Sequence, residues 1–323
     1  MQRLDAFMEA ANATYYARRD PFADFTTAPE ITQAFGEVLG AWAAETWAGL
    51  GRPDPVLLAE AGPGRGTLMA DALRAVRQAA PGFARALRLH LIEASPRLRE
   101  AQRGMLPDAT WHDAMTALPD GPLLLLGNEF LDALPIRQFV RRGARWAERF
   151  VADGAFVEQP AADPGREAPD GGAVELCEPA LGLAAWLGAR VARSPGAALF
   201  LDYGPARSGP GESLQAIRAG RPADPLADPG EADLTAHVDF EAFADAARRA
   251  GANVHGPVPQ GVFLARIGLF RRTDRLARGQ PPARAVALVE AARRLAEPHR
   301  MGRLFQAIAL TSPGVPVPAG FEA

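Results

Sequence analysis

Three glycines at alternate positions, Gly62, Gly64 and Gly66, follow the apolar run from Val56 to Ala59 after two intervening residues and precede a helical pattern. No other stretch limits the fold as much. Leu68, Ala72, Leu73 and Val76 recur on one helical face after the turn. A strand that must bend sharply into a helix brings backbone N–H groups close to whatever lies above the turn, and the start of the helix favours an anionic group there. The spacing is G-x-G-x-G, so it departs from the dinucleotide pattern G-x-G-x-x-G, and no phosphate-binding lysine follows. A tight strand-to-helix turn that binds nothing is the competing reading.

The chain around this turn alternates strand and helix. Residues 1–20 read as a helix stopped by Pro21. The stretch 24–31 is a loop with a helix start at Pro29 and Glu30, and that helix runs through Phe35, Val38, Leu39, Trp42 and Trp47 to about Gly49. Helix 67–79 ends at Pro81, strand 87–93 ends in Glu93, and helix 96–105 has Ser95 as its expected cap. Residues 110–113 form a third strand and its exit at Asp113. The wholly apolar fourth strand, 123–127, is what a strand covered on both faces requires. Residues 136–157 read as a hairpin turning at Gly143, 160–173 as a mobile loop, and 180–193 as a helix. Strand 197–202 follows, then loop 205–232, helix 240–250, a strand at 254–258, helices over 261–297 and a last strand at 303–310.

This order predicts an α/β fold with a mostly parallel sheet and helices on both faces. In such sheets ligands sit at the carboxyl ends of the strands. Four of those ends are polar: 60–67, 93–95, 128–132 and 202–204. Together with the acidic lead-in at Glu60, the turn suits a ligand with a carboxylate and a ribose but no phosphate, as in S-adenosylmethionine (SAM).

Composition closes off other chemistries. All 35 basic residues are arginine, which removes lysine Schiff-base chemistry and the phosphate-binding lysines of P-loops and kinases. A net charge of −3 and a pI near 6.0 argue against a nucleic-acid binder. The aliphatic run 123–126 is too short to span a bilayer, so no membrane insertion is expected, and the first residues do not read as a signal peptide. The single Cys177 excludes a disulfide framework and a cysteine metal cluster; no metal is expected, and the setting reads as cytoplasmic.

Four stretches together resemble the MidA family: Glu60-Ala-Gly-Pro-Gly-Arg-Gly-Thr67, Asn128-Glu-Phe-Leu-Asp-Ala-Leu-Pro135, Asp24-Phe-Thr-Thr-Ala-Pro-Glu30 and Leu234-Thr-Ala-His-Val-Asp-Phe240. The resemblance runs in order from about Tyr16 to Ala309. It departs at Leu131, where Phe is expected, and at Ala61, where Leu is usual. The resemblance implies a Rossmann-like SAM methyltransferase fold whose seventh strand, here 303–310, is antiparallel. It also implies protein arginine methylation of a respiratory complex I subunit in support of complex I assembly. A SAM methyltransferase of another protein or a small molecule, and a SAM-binding assembly chaperone without catalysis, stay open, as does a homodimer. Residues 1–55 are expected to form a helical segment covering the cofactor site, and 56–323 the methyltransferase domain, with substrate-side insertions at about 136–180 and 205–236.

Roles then follow from chemistry. Gly62, Gly64 and Gly66, with Thr67 at the helix start, would pass beside the methionine part of SAM, while Glu60 would organise the turn or face the ammonium. Glu93, next to Ser95, would accept hydrogen bonds from the ribose hydroxyls. Asp113 is a candidate for the adenine amino group, or a plain loop aspartate. Thr27 and Glu30 could close over the ligand, as the resemblance suggests. Glu129 and Asp132, beside Asn128, are spaced to grip a guanidinium, and His237, with Asp239, could accept a proton.

Overall fold

Val56–Ala61 is buried at every position, because the sheet it enters has helices on both sides. The computed structural model describes residues 1–19 and 26–322. The expected stop at Pro21 and the start of the 24–31 loop therefore lie outside the described residues. The chain forms two compact units: a larger one of Thr27–Phe130, Ala184–Gly204 and Ala244–Ala323, and a smaller one of Met1–Thr26, Leu131–Leu183 and Pro205–Phe243.

The larger unit is built on a seven-stranded sheet. Its strands are β1 (Val56–Ala61), β2 (Leu87–Ile92), β3 (Thr110–His112), β4 (Leu123–Asn128), β5 (Gly196–Tyr203), β6 (Asn253–Pro259) and β7 (Phe305–Thr311). They lie in the order β6-β7-β5-β4-β1-β2-β3. Neighbours from β5 to β3 pair in parallel, whereas β7 runs antiparallel to both β5 and β6. The α/β class is as the element order predicts, and the antiparallel last strand is as the family resemblance implies. The order of strands reverses between the parallel neighbours β1 and β4, and that junction is where such a sheet opens a crevice at its carboxyl edge.

The helices are α1 (Leu4–Arg18), α2 (Ala28–Ile31), α3 (Gln33–Gly49), α4 (Thr67–Ala79), α5 (Pro81–Ala86), α6 (Pro96–Met105), α7 (Glu178–Arg193), α8 (Phe240–Arg249), α9 (Gln260–Arg266), α10 (Leu269–Ala277) and α11 (Pro282–Ala296). On one face of the sheet Leu58, Leu124, Leu199 and Ala309 join Phe35, Leu39 and Trp42 of α3, Leu68 and Ala72 of α4, and Leu269 and Leu295 in a single core cluster. α3 approaches α4 so closely that a Cβ on Gly40 would lie 2.7 Å from the carbonyl oxygen of Ala72.

Several boundaries differ from the sequence expectation. The helix expected through 29–49 is broken at Thr32, which is extended and accepts the Ala34 N–H on its hydroxyl at 3.3 Å, capping α3 anew. Pro81 stops α4 but also opens α5, since its fixed φ suits a first helical position. The region 261–297 is three helices, α9 to α11.

The smaller unit is more strand-rich than expected. Residues 136–157 are not one hairpin: Arg137–Arg142, Arg145–Ala152 and Ala155–Ala161 form a meander, with Ala173–Leu176 added beside Arg137–Arg142. Its second turn, Asp153-Gly154, has both residues at positive φ, the geometry that matches the twist of paired strands. Loop 205–232 likewise contains Gln215–Arg218 and Arg221–Ala223, joined through Ala219-Gly220 at positive φ, and Gln215–Arg218 also pairs with Asp233–Thr235. Leu4, Phe7, Met8 and Ala11, on one face of α1, pack with Ile136, Val151 and Leu234. Asn12 donates to the carbonyls of Ala133 and Leu234 and accepts from the Leu234 N–H, so one buried amide ties two of the motif stretches to α1.

Candidate functional site

The carboxyl ends of β1, β2, β4 and β5 converge within the larger unit. Gly62, Gly64 and Gly66 all have positive φ, at 62°, 54° and 86°. Gly62 also has no room for a side chain: a Cβ there would lie 2.9 Å from Cδ2 of Phe130. The turn is fixed by the Gly62 N–H to the Ile92 carbonyl and the Gly66 N–H to the Pro63 carbonyl. Thr67, the first residue of α4, donates its hydroxyl to Oε1 of Glu30. Thr27 precedes α2 and takes the Glu30 N–H on its carbonyl, at 3.0 Å.

Glu60 is the outlying titratable group. It is 3% exposed, its Oε2 has no hydrogen-bond partner, and burial pushes its carboxyl up to about 8. Oδ1 of Asn128, at the end of the adjacent strand β4, is a second buried acceptor with no partner. Two unsatisfied acceptors in one crevice fit a ligand that brings donors, such as an ammonium.

Glu93 closes β2. Its Oε1 accepts the Ser95 N–H at 2.8 Å and its Oε2 accepts the Gln102 side-chain N–H at 3.3 Å. Burial raises its pKa, while the Ser95 and Gln102 donors oppose that rise. Ser95 caps α6 through the Leu98 N–H. Asp113 is placed differently: its side chain is 86% exposed and is taken by Arg99, which also donates to the Glu93 carbonyl. Asp113 is thus a surface ion-pair partner of α6.

At the end of β4, Glu129 holds a left-handed backbone (φ 50°) that non-glycine residues rarely adopt. Its N–H donates to the Leu201 carbonyl, and its Oε1 accepts from the Ala28 N–H and the Asn128 amide, each at 3.0 Å. The next residue, Phe130, donates its N–H to the buried carboxylate of Asp202 on β5, which also takes the Tyr203 N–H. Asp202, in the polar strand end 202–204, thus fixes the turn that carries Glu129.

Asp132 and His237 belong to the smaller unit. Asp132 is buried and accepts the Ala236 N–H on its carbonyl. Nearby, Tyr16 donates to Asp233 at 2.7 Å, and burial together with Asp233 and Asp132 raises its pKa. The His237 N–H donates to the Ser213 hydroxyl. Asp239, read as a proton acceptor beside His237, instead caps α8 through the Ala242 N–H and takes the Ser208 hydroxyl and Arg166. Its carboxylate serves as the cap of a helix. Among the described residues no group of three His, Cys, Asp or Glu could hold a metal ion, and no helix is long and apolar enough to cross a membrane.

A family profile described as S-adenosyl-L-methionine-dependent methyltransferase matches residues 38–258. Two mitochondrial relatives named protein arginine methyltransferase NDUFAF7 align over most of the chain. The Drosophila melanogaster homolog is 34% identical over 94% of this chain and 78% of its own. The Homo sapiens protein is 32% identical over 92% and 76%. A crystal structure from Burkholderia thailandensis, bound to S-adenosyl-homocysteine, superposes with a TM-score of 0.79 at 26% identity, covering 99% of this chain and 88% of that one.

Proposed function

The chain belongs to the family of S-adenosyl-L-methionine-dependent methyltransferases that includes these relatives, and from that premise we propose that it is a protein arginine N-methyltransferase acting in the cytoplasm on a subunit of respiratory complex I. The observation that supports arginine as the methylated residue is the name, protein arginine methyltransferase, that relatives at 32–34% identity bear over more than nine-tenths of this chain; the complex I subunit follows only from the resemblance of the motif stretches.

The residues suited to SAM are those of the larger unit's crevice. The glycine turn would take the methionine part, with Glu60 Oε2 and Asn128 Oδ1 supplying the acceptors an ammonium needs. Glu93 would take the ribose hydroxyls, and Thr27 and Glu30, the latter tied to Thr67, would close that side. When bound, the cofactor supplies an electrophilic methyl group on a sulfonium. The protein's remaining work is to present a guanidinium nitrogen in line and to receive the proton that nitrogen gives up. A guanidinium keeps its charge up to about pH 12 and has no localised lone pair, so carboxylates that grip it must orient it and draw its charge to the far nitrogens. Glu129 and Asp132 are assigned that grip, and His237 the proton.

The test is transfer of labelled methyl from SAM to purified complex I subunits and arginine peptides from them. The double variant Glu129→Gln, Asp132→Asn keeps shape and removes both charges. Transfer should fall by orders of magnitude while S-adenosylhomocysteine affinity stays within a few-fold. Full transfer by the double variant overturns the assigned grip. A second reading, a SAM-binding assembly protein without catalysis, draws on Glu129 Oε1 already anchoring Ala28; restored complex I assembly by an inactive variant would favour it.

A further inference from the structure

Gln102 has no solvent exposure, yet its amide makes three hydrogen bonds to three different parts of the cofactor crevice. Its Oε1 accepts from the Trp111 indole N–H at 2.7 Å. Its Nε2 donates to the Gly64 carbonyl at 2.7 Å and to Glu93 Oε2 at 3.3 Å. The indole nitrogen can only donate, so it dictates which end of the amide carries the oxygen. The NH2 end is thereby forced toward the glycine turn and the acid, and it has one hydrogen for each acceptor. α6 delivers the side chain to this position, since Leu98 and Gln102 are its two buried residues and stand one turn apart.

We propose that Gln102 is a positioning residue for the cofactor: its amide, set by Trp111, holds the Glu93 carboxylate and the Gly64 carbonyl in one fixed arrangement and keeps Glu93 ready to accept two hydroxyl hydrogen bonds. This rests on the reading of the crevice as the SAM site, and it adds a residue that lies on a helix, outside the strands that carry the ligand-facing groups. The physical need is clear from Glu93 itself. A carboxylate accepts two ribose hydroxyls, whereas a protonated acid uses one oxygen as a donor. Burial favours the protonated form, and the Gln102 N–H is the one side-chain donor opposing it, beside the backbone N–H groups of Ser95 and Ala94. The titratable and charged residues linked to Glu93 are Arg99 on α6, Asp113, which Arg99 also holds, and His112 at the end of β3, whose carbonyl takes the Glu93 N–H. Arg99, which bonds the Glu93 carbonyl, is the one of these acting on Glu93 in the same direction as Gln102.

The experiment is calorimetric titration of the full chain with S-adenosylhomocysteine from pH 6 to 9, for wild type, Gln102→Leu, Trp111→Phe and Glu93→Gln. Wild-type binding tests the crevice reading by itself: no binding there sinks that reading before Gln102 is at issue. Given wild-type binding, Gln102→Leu should weaken affinity about 10- to 100-fold at pH 7, as loss of a donor to a charged acceptor does. Its loss should shrink as pH rises, because Glu93 then ionises without help. Trp111→Phe, which leaves the amide free to turn over, should shift the profile in the same direction by less, and it serves where Gln102→Leu does not fold. Adding Gln102→Leu to Glu93→Gln should change little further. Affinity within twofold of wild type and an unshifted pH profile, whatever the change in melting temperature, would mean that Gln102 is only a core amide and would overturn the proposal.

Discussion

Glu60→Gln should stabilise the ligand-free protein while weakening its cofactor affinity. Glu60 is almost wholly buried, and burial raises its carboxyl from the ordinary 4.5 to about 8. A raised carboxyl pKa means that the folded state holds the proton more tightly than the unfolded chain. Stability is therefore unaffected below about pH 4.5, falls as pH rises above it, and levels off above about pH 8. At 1.36 kcal/mol per pH unit, the interval from 4.5 to 7 corresponds to about 3 kcal/mol of lost stability at pH 7, and the interval to 8 to about 5 kcal/mol. The glutamine has the same volume and no charge to desolvate, so denaturant unfolding should show the variant more stable by about that amount at pH 7 and equal to wild type near pH 4. A second assay reads the ligand. If the ammonium of S-adenosylhomocysteine meets Glu60, binding near pH 7 should expel the Glu60 proton, up to about one per ligand, visible as a binding enthalpy that depends on the buffer's ionisation heat. Parallel stability curves for the two proteins from pH 5 to 9, with no proton release, would refute the reasoning.

Two further outcomes follow from the same crevice. Glu93→Ala should weaken S-adenosylhomocysteine binding by about 10- to 100-fold, the usual effect of losing hydrogen bonds to a charged acceptor, with the fold retained by circular dichroism. Gly62→Ala should lose affinity more than tenfold in the same titration and should lower stability by about 1–2 kcal/mol. Its left-handed backbone opposes any Cβ, and the added carbon meets Phe130 at 2.9 Å.

The parts of the fold that were legible in the sequence are those where one physical requirement acts alone. β1, β4 and β5 are doubly covered, so each begins with an apolar run that meets a polar residue only near its carboxyl end, and the glycine turn announces itself by spacing. The smaller unit was harder because its strands are short and carry few buried residues: Gln215–Arg218 buries only Ala216. The turn at Gly143 stands where its glycine indicates, and Asp153-Gly154 is a second hairpin signal of the same kind that makes the region a meander. Thr32 was hidden because an apolar helical period continues across it, and only its extended backbone shows that α2 and α3 are separate. In the crevice, Glu60, Glu93 and Asn128 could be read as strand ends. Gln102 could not, since a glutamine in a helix reads as surface; its distance of one turn from Leu98 was the available signal.

Glu129 shows why an acid at a strand end needs geometry before it receives a role. Its left-handed backbone is held by the Leu201 carbonyl behind it and by Asp202, which grips the next N–H. Its Oε1 then anchors Ala28, the first residue of α2, and so ties the segment of Thr27 and Glu30 to the end of β4. Anchor and substrate grip ask different things of the side chain, and two substitutions separate them. Glutamine retains an oxygen that can accept the Ala28 N–H but has no charge; alanine retains neither. If Glu129 does both jobs, Glu129→Gln should bind S-adenosylhomocysteine nearly as wild type and lose methyl transfer. Glu129→Ala should also lose affinity, several-fold or more, because the Ala28 N–H loses its partner and α2 its tether. Equal affinity in the alanine and glutamine variants would show that the anchor does nothing for the cofactor. Equal transfer in the glutamine variant and wild type would leave the anchor as the only role of Glu129.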